Sequence, residues 1–189
     1  MHRFAILLAI LFVVAGLAGT ARAEFSYDWV GASYGNVDFD DLNVDGDGFG
    51  FDVTLGIAES FHLFGAAETA DLDFNVDLTR WRAGIGYNTP LSETVDVIGQ
   101  LSYERIDIDT TIGGGDDDGF GLGVGIRVDA TSLVELNGAI RYVDFSDSGD
   151  DTVLDAGVLF NLTESFSVGL NGTFDDDVNT YRLAGRFYF

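Results

Sequence analysis

Cysteine is absent from the 189 residues, which removes disulfide staples and thiolate chemistry from the fold and from any site. Lysine is absent too: all nine basic residues are arginine, set against 32 acids for a net charge of −23. Such a field repels nucleic acid and anionic surfaces and attracts cations and basic partners. No apolar run is long enough to span a bilayer as a helix. The longest, Phe4 to Leu17, has about 14 residues where roughly 20 are needed. The acidity alone would suit a disordered chain, but 47% hydrophobic and 13% aromatic content exclude that class.

The early apolar run follows Arg3 and precedes Ala21-Arg22-Ala23, a small-x-small cleavage pattern. Residues 1–23 are therefore expected to be a secretory signal peptide, with one exported domain over residues 24–189. Loss of Arg3 and Arg22 leaves seven arginines against 32 acids, or −25.

The acids are distributed with a period. Twenty of the 25 aspartates fall in five stretches, Asp38 to Asp47, Asp71 to Asp77, Asp107 to Asp118, Asp144 to Asp151 and Asp175 to Asp177. Between these lie tighter reversals at Glu59-Ser60, Thr89-Pro90-Leu91-Ser92, Asp129 to Ser132 and Asn161 to Glu164, rich in turn-forming residues. Two kinds of connection alternate along the chain, the organisation of an up-and-down barrel with longer acidic loops at one end and short turns at the other.

The intervening segments alternate with period two, as half-buried strands do. Phe49, Phe51, Val53, Leu55 and Ile57 oppose Gly50, Asp52, Thr54 and Gly56. Phe120, Leu122, Val124 and Ile126 oppose Gly121, Gly123, Gly125 and Arg127. The polar faces hold small residues and a few charges instead of the Lys and Glu of a soluble surface, so the greasy faces are expected to meet lipid. The expected fold is all-β, an antiparallel transmembrane barrel of ten strands, or eight if two of the weaker staves near residues 25–37, 61–70 and 152–160 are loop. An even count puts both ends on the periplasmic side and the acidic loops outside. Tyr27, Trp29, Trp81, Tyr87, Tyr103, Tyr142 and Phe187 are expected in the interfacial aromatic girdles.

The last strand sharpens this reading. Tyr181, Leu183, Gly185, Phe187 and Phe189 share one face, opposite Arg182, Ala184, Arg186 and Tyr188. Together with the run Arg80-Trp81-Arg82-Ala83-Gly84-Ile85-Gly86-Tyr87-Asn88, this resembles the small porin-like outer-membrane β-barrel proteins of Gram-negative bacteria. The resemblance implies a multi-pass outer-membrane protein, in contact with outer-membrane lipid and lipopolysaccharide. It implies that Tyr181, Leu183, Phe187 and Phe189 form the signal read by the barrel-assembly machinery. The family is not catalytic as a class, and no functional residues carry over from it. The chain is expected to be a monomer with no nucleic-acid partner.

Charges on the polar faces are the first candidate site. Arg80, Arg82, Arg127, Arg141, Arg182 and Arg186, with Asp52, Asp96, Glu104, Glu135 and Asp155, are expected to form a lumen network, since unpaired charges in a narrow interior are costly. Such a network either fills the barrel, the favoured reading, or lines a charged constriction. A second candidate is a calcium-like loop in which Asp41, Asn43, Asp45, Asp47 and Asp52 alternate as oxygen ligands, with Asp in place of the usual terminal Glu. Weak binding of Ca²⁺ or Mg²⁺ by the acidic loops is the only cofactor expectation. His62, the one histidine beyond the expected signal peptide, belongs near the periplasmic turns and far from the acidic loops, so an enzyme is not expected. The sequence therefore predicts an envelope-structural or surface-interacting barrel with a filled lumen. A narrow channel for small, mostly cationic solutes is the rival, and a surface hydrolase the third choice.

Overall fold

The computed structural model describes residues 25–39, 44–175 and 178–189. The expected signal peptide, and Asp41 and Asn43 of the calcium-like loop, lie outside the described residues.

Ten antiparallel strands form one closed barrel: β1 Trp29–Phe39, β2 Val44–Ala58, β3 Phe61–Leu72, β4 Val76–Ser92, β5 Val95–Thr110, β6 Gly113–Thr131, β7 Val134–Phe145, β8 Gly149–Thr163, β9 Phe166–Phe174 and β10 Val178–Tyr188. Each strand pairs with its sequence neighbours, and β1 closes on β10 from Trp29 opposite Tyr188 to Phe39 opposite Val178. Closure leaves no edge strand, which a bilayer demands because lipid cannot satisfy a free backbone group.

The short turns lie at the end where β1 begins and β10 ends; there the Phe189 amide donates to the Asp28 carbonyl at 3.2 Å. The register slips by one residue beside every one of these four turns, at Gly56/Ala58, Pro90/Ser92, Asp129/Thr131 and Asn161/Thr163. Such bulges tighten the local twist and help a short turn reverse a tilted strand.

The acidic end corrects an expectation. The stretches Asp71 to Asp77, Asp107 to Asp118 and Asp144 to Asp151 are not loops but paired strand extensions. Pairing continues to Leu72 opposite Val76, Thr110 opposite Gly113 and Phe145 opposite Gly149. With β4, β5 and β6 at 17, 16 and 19 residues, where about 9–11 span a bilayer, these hairpins stand well beyond any hydrocarbon layer. The β3–β4 tip turns through Phe74 and Asn75 at φ 65° and 57°, a backbone region that costs a bulky residue energy.

The strongly alternating strands turn their apolar residues outward: Phe49, Phe51, Leu55, Phe120, Leu122, Leu101 and Leu183 are all exposed on the barrel wall. Aromatics gather in two bands on this wall. One, towards the acidic end, contains Tyr34 against Phe49 and the run Trp81, Tyr103, Phe120 with ring centroids 5.3 and 5.5 Å apart. The other, towards the termini, contains Phe61 against Tyr87 with Phe166, Phe187 and Phe189 exposed nearby. Tyr27 and Trp29 depart from expectation and belong to neither band, because both line the lumen.

The weaker staves β1, β3 and β8 are strands, and the inward side explains their blurred pattern. Val37, Ala70, Leu72, Leu78 and Val178 form a buried apolar cluster, flanked by Phe39, Val44, Val76 and Ile106. These residues face inward at the acidic end of β1 to β5 and β10. On the far wall Val143 and Val153 of β7 and β8 are buried as well. Apolar residues on both faces erase the period-two signal.

Candidate functional site

The lumen holds all eleven charged residues expected there. Arg80, Arg82, Arg127, Arg141, Arg182, Arg186, Asp52, Glu104, Glu135 and Asp155 line one cavity of about 310 Å³, and Asp96, 8% exposed, accepts a hydrogen bond from the Tyr27 hydroxyl at 2.9 Å. Glu68, which sequence reasoning missed, lines the same cavity and ion-pairs with Arg182. Its signal was available: Glu68 shares the alternate face of β3 with His62.

The charges sort into clusters. On the β5–β9 wall, Arg141 bridges Glu104 and Asp155, the latter at 3.5 Å. Ser102 donates to Glu104 at 2.7 Å and Thr173 to Asp155 at 2.8 Å. Glycine makes this possible: a methyl on Gly121 would run into the Ser102 hydroxyl and the Glu104 carboxylate. Across the barrel, Arg80 and Arg82 of β4 and Arg182 and Arg186 of β10 reach over inward positions that are mostly small, including Ser33, Gly50 and Ala66. Asp52 lies among Arg186, Arg82 and Arg182.

The segment that precedes β1 packs into the lumen at the end where β1 begins. Arg127 makes a two-point contact with Glu135, Nε and Nη2 each 2.9 Å from a carboxylate oxygen. Its third donor, Nη1, reaches the Ser26 carbonyl at 2.9 Å, and its guanidinium lies between the rings of Phe25 and Tyr27, 4.7 and 5.0 Å from their centroids. Tyr27 stacks on His62, whose Nδ1 lies 3.2 Å from the Asn88 side-chain oxygen. Beside them Arg186 sits 3.8 Å from the centroid of Trp29. Beneath these rings Glu135, His62 and Arg127 are buried, at 3%, 2% and 6% exposure, while Phe25, Tyr27 and Trp29 are half-buried. Above them the cavity lining continues to Phe145, Asp151 and Asp175 at the acidic end.

On the outer wall the register lines up carboxylates. Asp47 pairs with Asp71, Asp71 with Asp77, and Asp77 with Asp109, so four aspartates on four adjacent strands stand side by side, each exposed. Nearby, Arg105 is held by Asp107 and Asp116 at 2.9 and 3.0 Å; on β5 it is out of phase with the buried Ser102 and Glu104, so its side chain leaves the outer face. The calcium-like loop is not assembled by its described members. Asp45 and Asp47 are exposed on the outer face, whereas Asp52 lies on the inner face of β2. An extended strand sends odd and even positions to opposite sides, so these three do not converge. Of the proposed assembly strand, Tyr181, Leu183, Phe187 and Phe189 all lie exposed on the lipid-facing side of the closing strand and its end.

Comparison with known proteins agrees with this architecture. The family model described as outer membrane protein beta-barrel domain matches residues 4–174. No curated protein matches the chain in sequence. Among solved structures the chain is similar to KdgM porin at 12% identity and a TM-score of 0.48, covering 84% of this chain and 99% of that one. It is also similar to the translocator domain of the autotransporter NalP from Neisseria meningitidis, at 9% identity and a TM-score of 0.47, covering 99% and 96%. A third is Ail, the attachment invasion locus protein of Yersinia pestis, at 15% and 0.40, covering 87% and 100%.

Proposed function

Since this chain belongs to the outer membrane protein beta-barrel domain family, and is thus a barrel of the bacterial outer membrane, we propose that it is an envelope barrel with a closed interior, acting through its acidic hairpins. One observation carries the reading. The segment Phe25 to Tyr27 packs across the terminal end around the Arg127–Glu135 pair, and on this reading it obstructs the cavity above it. A ten-stranded barrel is only slightly wider than the roughly eight-stranded size that side chains fill completely, and aromatic rings from outside the strand pattern make up that difference.

In the bilayer the termini face the periplasm and the hairpins the exterior. Those hairpins carry the aspartate row and almost no positive charge, so they repel lipid phosphates directly. Their contact with lipopolysaccharide runs through divalent cations shared between the two anionic surfaces, or is replaced by contact with a basic partner.

A narrow channel is the second reading, favoured by the continuous cavity lining from Phe145 and Asp175 down to Tyr27. In that case the segment Phe25 to Tyr27 is a gate, and the acidic mouth favours cations. Conductance of the refolded protein in a planar bilayer separates the two. A silent, folded barrel supports the closed reading, and steady cation-selective steps overturn it.

A further inference from the structure

Seven arginines lie among the described residues, and five of them are held by carboxylates: Arg105, Arg127, Arg141, Arg182 and Arg186. Arg80 and Arg82 make no ion pair with a described residue. They stand two apart on β4, so both side chains leave the same face of the strand about 7 Å apart, and both line the lumen cavity. Arg82 rests over the Phe64 ring, 5.8 Å from its centroid. The Nε of Arg80 is buried without a hydrogen-bond partner. Glu68, directly opposite Arg80 in the β3–β4 ladder, is committed to Arg182 instead. Arg82 stands opposite Ala66 in the β3–β4 ladder and opposite Glu104 in the β4–β5 ladder, and that carboxylate is ion-paired with Arg141 instead. Two half-buried guanidinium groups without a carboxylate of their own in a narrow interior favour a compensating ligand, since an unpaired charge away from water is costly.

We propose that Arg80 and Arg82 form a receptor for a singly charged oxyanion inside the barrel, a monocarboxylate or dihydrogen phosphate. Guanidinium groups present planar forks that match two oxygens of such an anion. Asp52 lies close to Arg82 and forms an ion pair with neither it nor Arg186, so the local excess is a single positive charge. That balance selects a monoanion over a polyanion. The cavity of about 310 Å³ is at the small end of ligand pockets, room for a small solute and not for a folded-back polymer. This site is independent of whether the barrel conducts, because binding requires access from the acidic end only.

The test follows thermal unfolding of the full-length, refolded barrel in detergent at mildly acidic pH, where phosphate carries mostly one charge. Sodium acetate and sodium phosphate are titrated against sodium chloride at equal ionic strength. The expected result is a saturable rise in unfolding midpoint with acetate or phosphate over chloride. The stronger of the two identifies the ligand as a carboxylate or a phosphate. In Arg80→Gln/Arg82→Gln the affinity falls by about tenfold or more, as expected when charge-assisted bonds are lost, while Arg105→Gln, on the outer wall, keeps it. If the double glutamine variant does not refold, Arg80→Lys/Arg82→Lys retains both charges without the forks and is expected to bind severalfold more weakly. No saturable difference from chloride in the unmodified protein overturns the proposal, and so does an undiminished response in either double variant.

Discussion

Tyr27 lies against His62 with ring centroids 4.6 Å apart and planes 16° from parallel, which fastens the segment before the first strand to the inner wall of β3. The same phenol donates to Asp96 of β5. The short segment before β1 thereby joins β3 and β5 across the lumen.

Removing the rings of that segment should open the lumen. Phe25→Gly combined with Tyr27→Gly leaves Arg127 uncovered at the terminal end while keeping its pair with Glu135. The expected outcome in a planar bilayer is small, cation-favouring conductance steps that the unmodified protein lacks.

Breaking the Arg127–Glu135 pair from one side should hurt more than replacing it whole. Arg127 and Glu135 are 6% and 3% exposed, so Glu135→Ala strands a buried cation at a cost of about 3–5 kcal/mol. Arg127→Met with Glu135→Leu, which removes both charges, is expected to recover part of that loss, the remainder falling on Arg186, whose contact with Glu135 at 3.8 Å is lost as well. Urea unfolding in lipid vesicles measures the difference.

Gly86 and His62 should behave as a coupled pair. They face each other in the β3–β4 ladder, and a methyl on Gly86 would run into the imidazole. Gly86→Ala should destabilise by about 1–3 kcal/mol, the usual range for overpacking. In a His62→Ala background the same change should cost much less, and a double-mutant cycle reads the coupling.

The aspartate row predicts a substitution that stabilises. Asp71 stands between Asp47 and Asp77, and like charges opposite each other each cost roughly 0.2–1 kcal/mol. Asp71→Asn should raise stability at low salt, with the gain shrinking as added salt shortens the Debye length. Millimolar Mg²⁺ should stabilise the parent protein more than Na⁺ at equal ionic strength, and Asp71→Asn should reduce that advantage.

Burial raises the Tyr27 phenol above its ordinary value, with the Asp96 carboxylate pushing the same way and Arg127 opposing. A group whose folded value is raised contributes its full stability below the unfolded value and loses it as pH climbs through the folded one. The packing of Tyr27 should therefore hold up to the ordinary phenol range, about pH 10, and weaken only above it. Phenolate absorbance should show Tyr27 titrating after the exposed tyrosines, and Tyr27→Phe should abolish that late step.

What could be read along the chain was whatever depends on nearest neighbours in sequence. Period-two alternation in Phe49 to Ile57 and Phe120 to Val128 marks lipid-facing strands because successive side chains must leave opposite faces. Ten strands follow from the alternation of acidic stretches with tight reversals. The inward set from Arg80 to Arg186 follows from the same parity rule. Position misled: Tyr27 and Trp29 look like girdle aromatics beside a strand start, yet nothing local says that the segment before β1 bends back into the barrel. The acidic stretches look like loops because aspartate favours turns, yet cross-strand pairing carries the ladder through them.

By itself the sequence determined an all-β chain with a lipid-facing wall and a charged interior, since side-chain alternation and composition are one-dimensional properties. Only the tertiary structure decided the partners. Glu68 goes to Arg182 and leaves Arg80 alone, Asp47 meets Asp71, and Phe25 covers Arg127, because closing β1 on β10 fixes the register of every strand at once and brings together residues that share no local pattern.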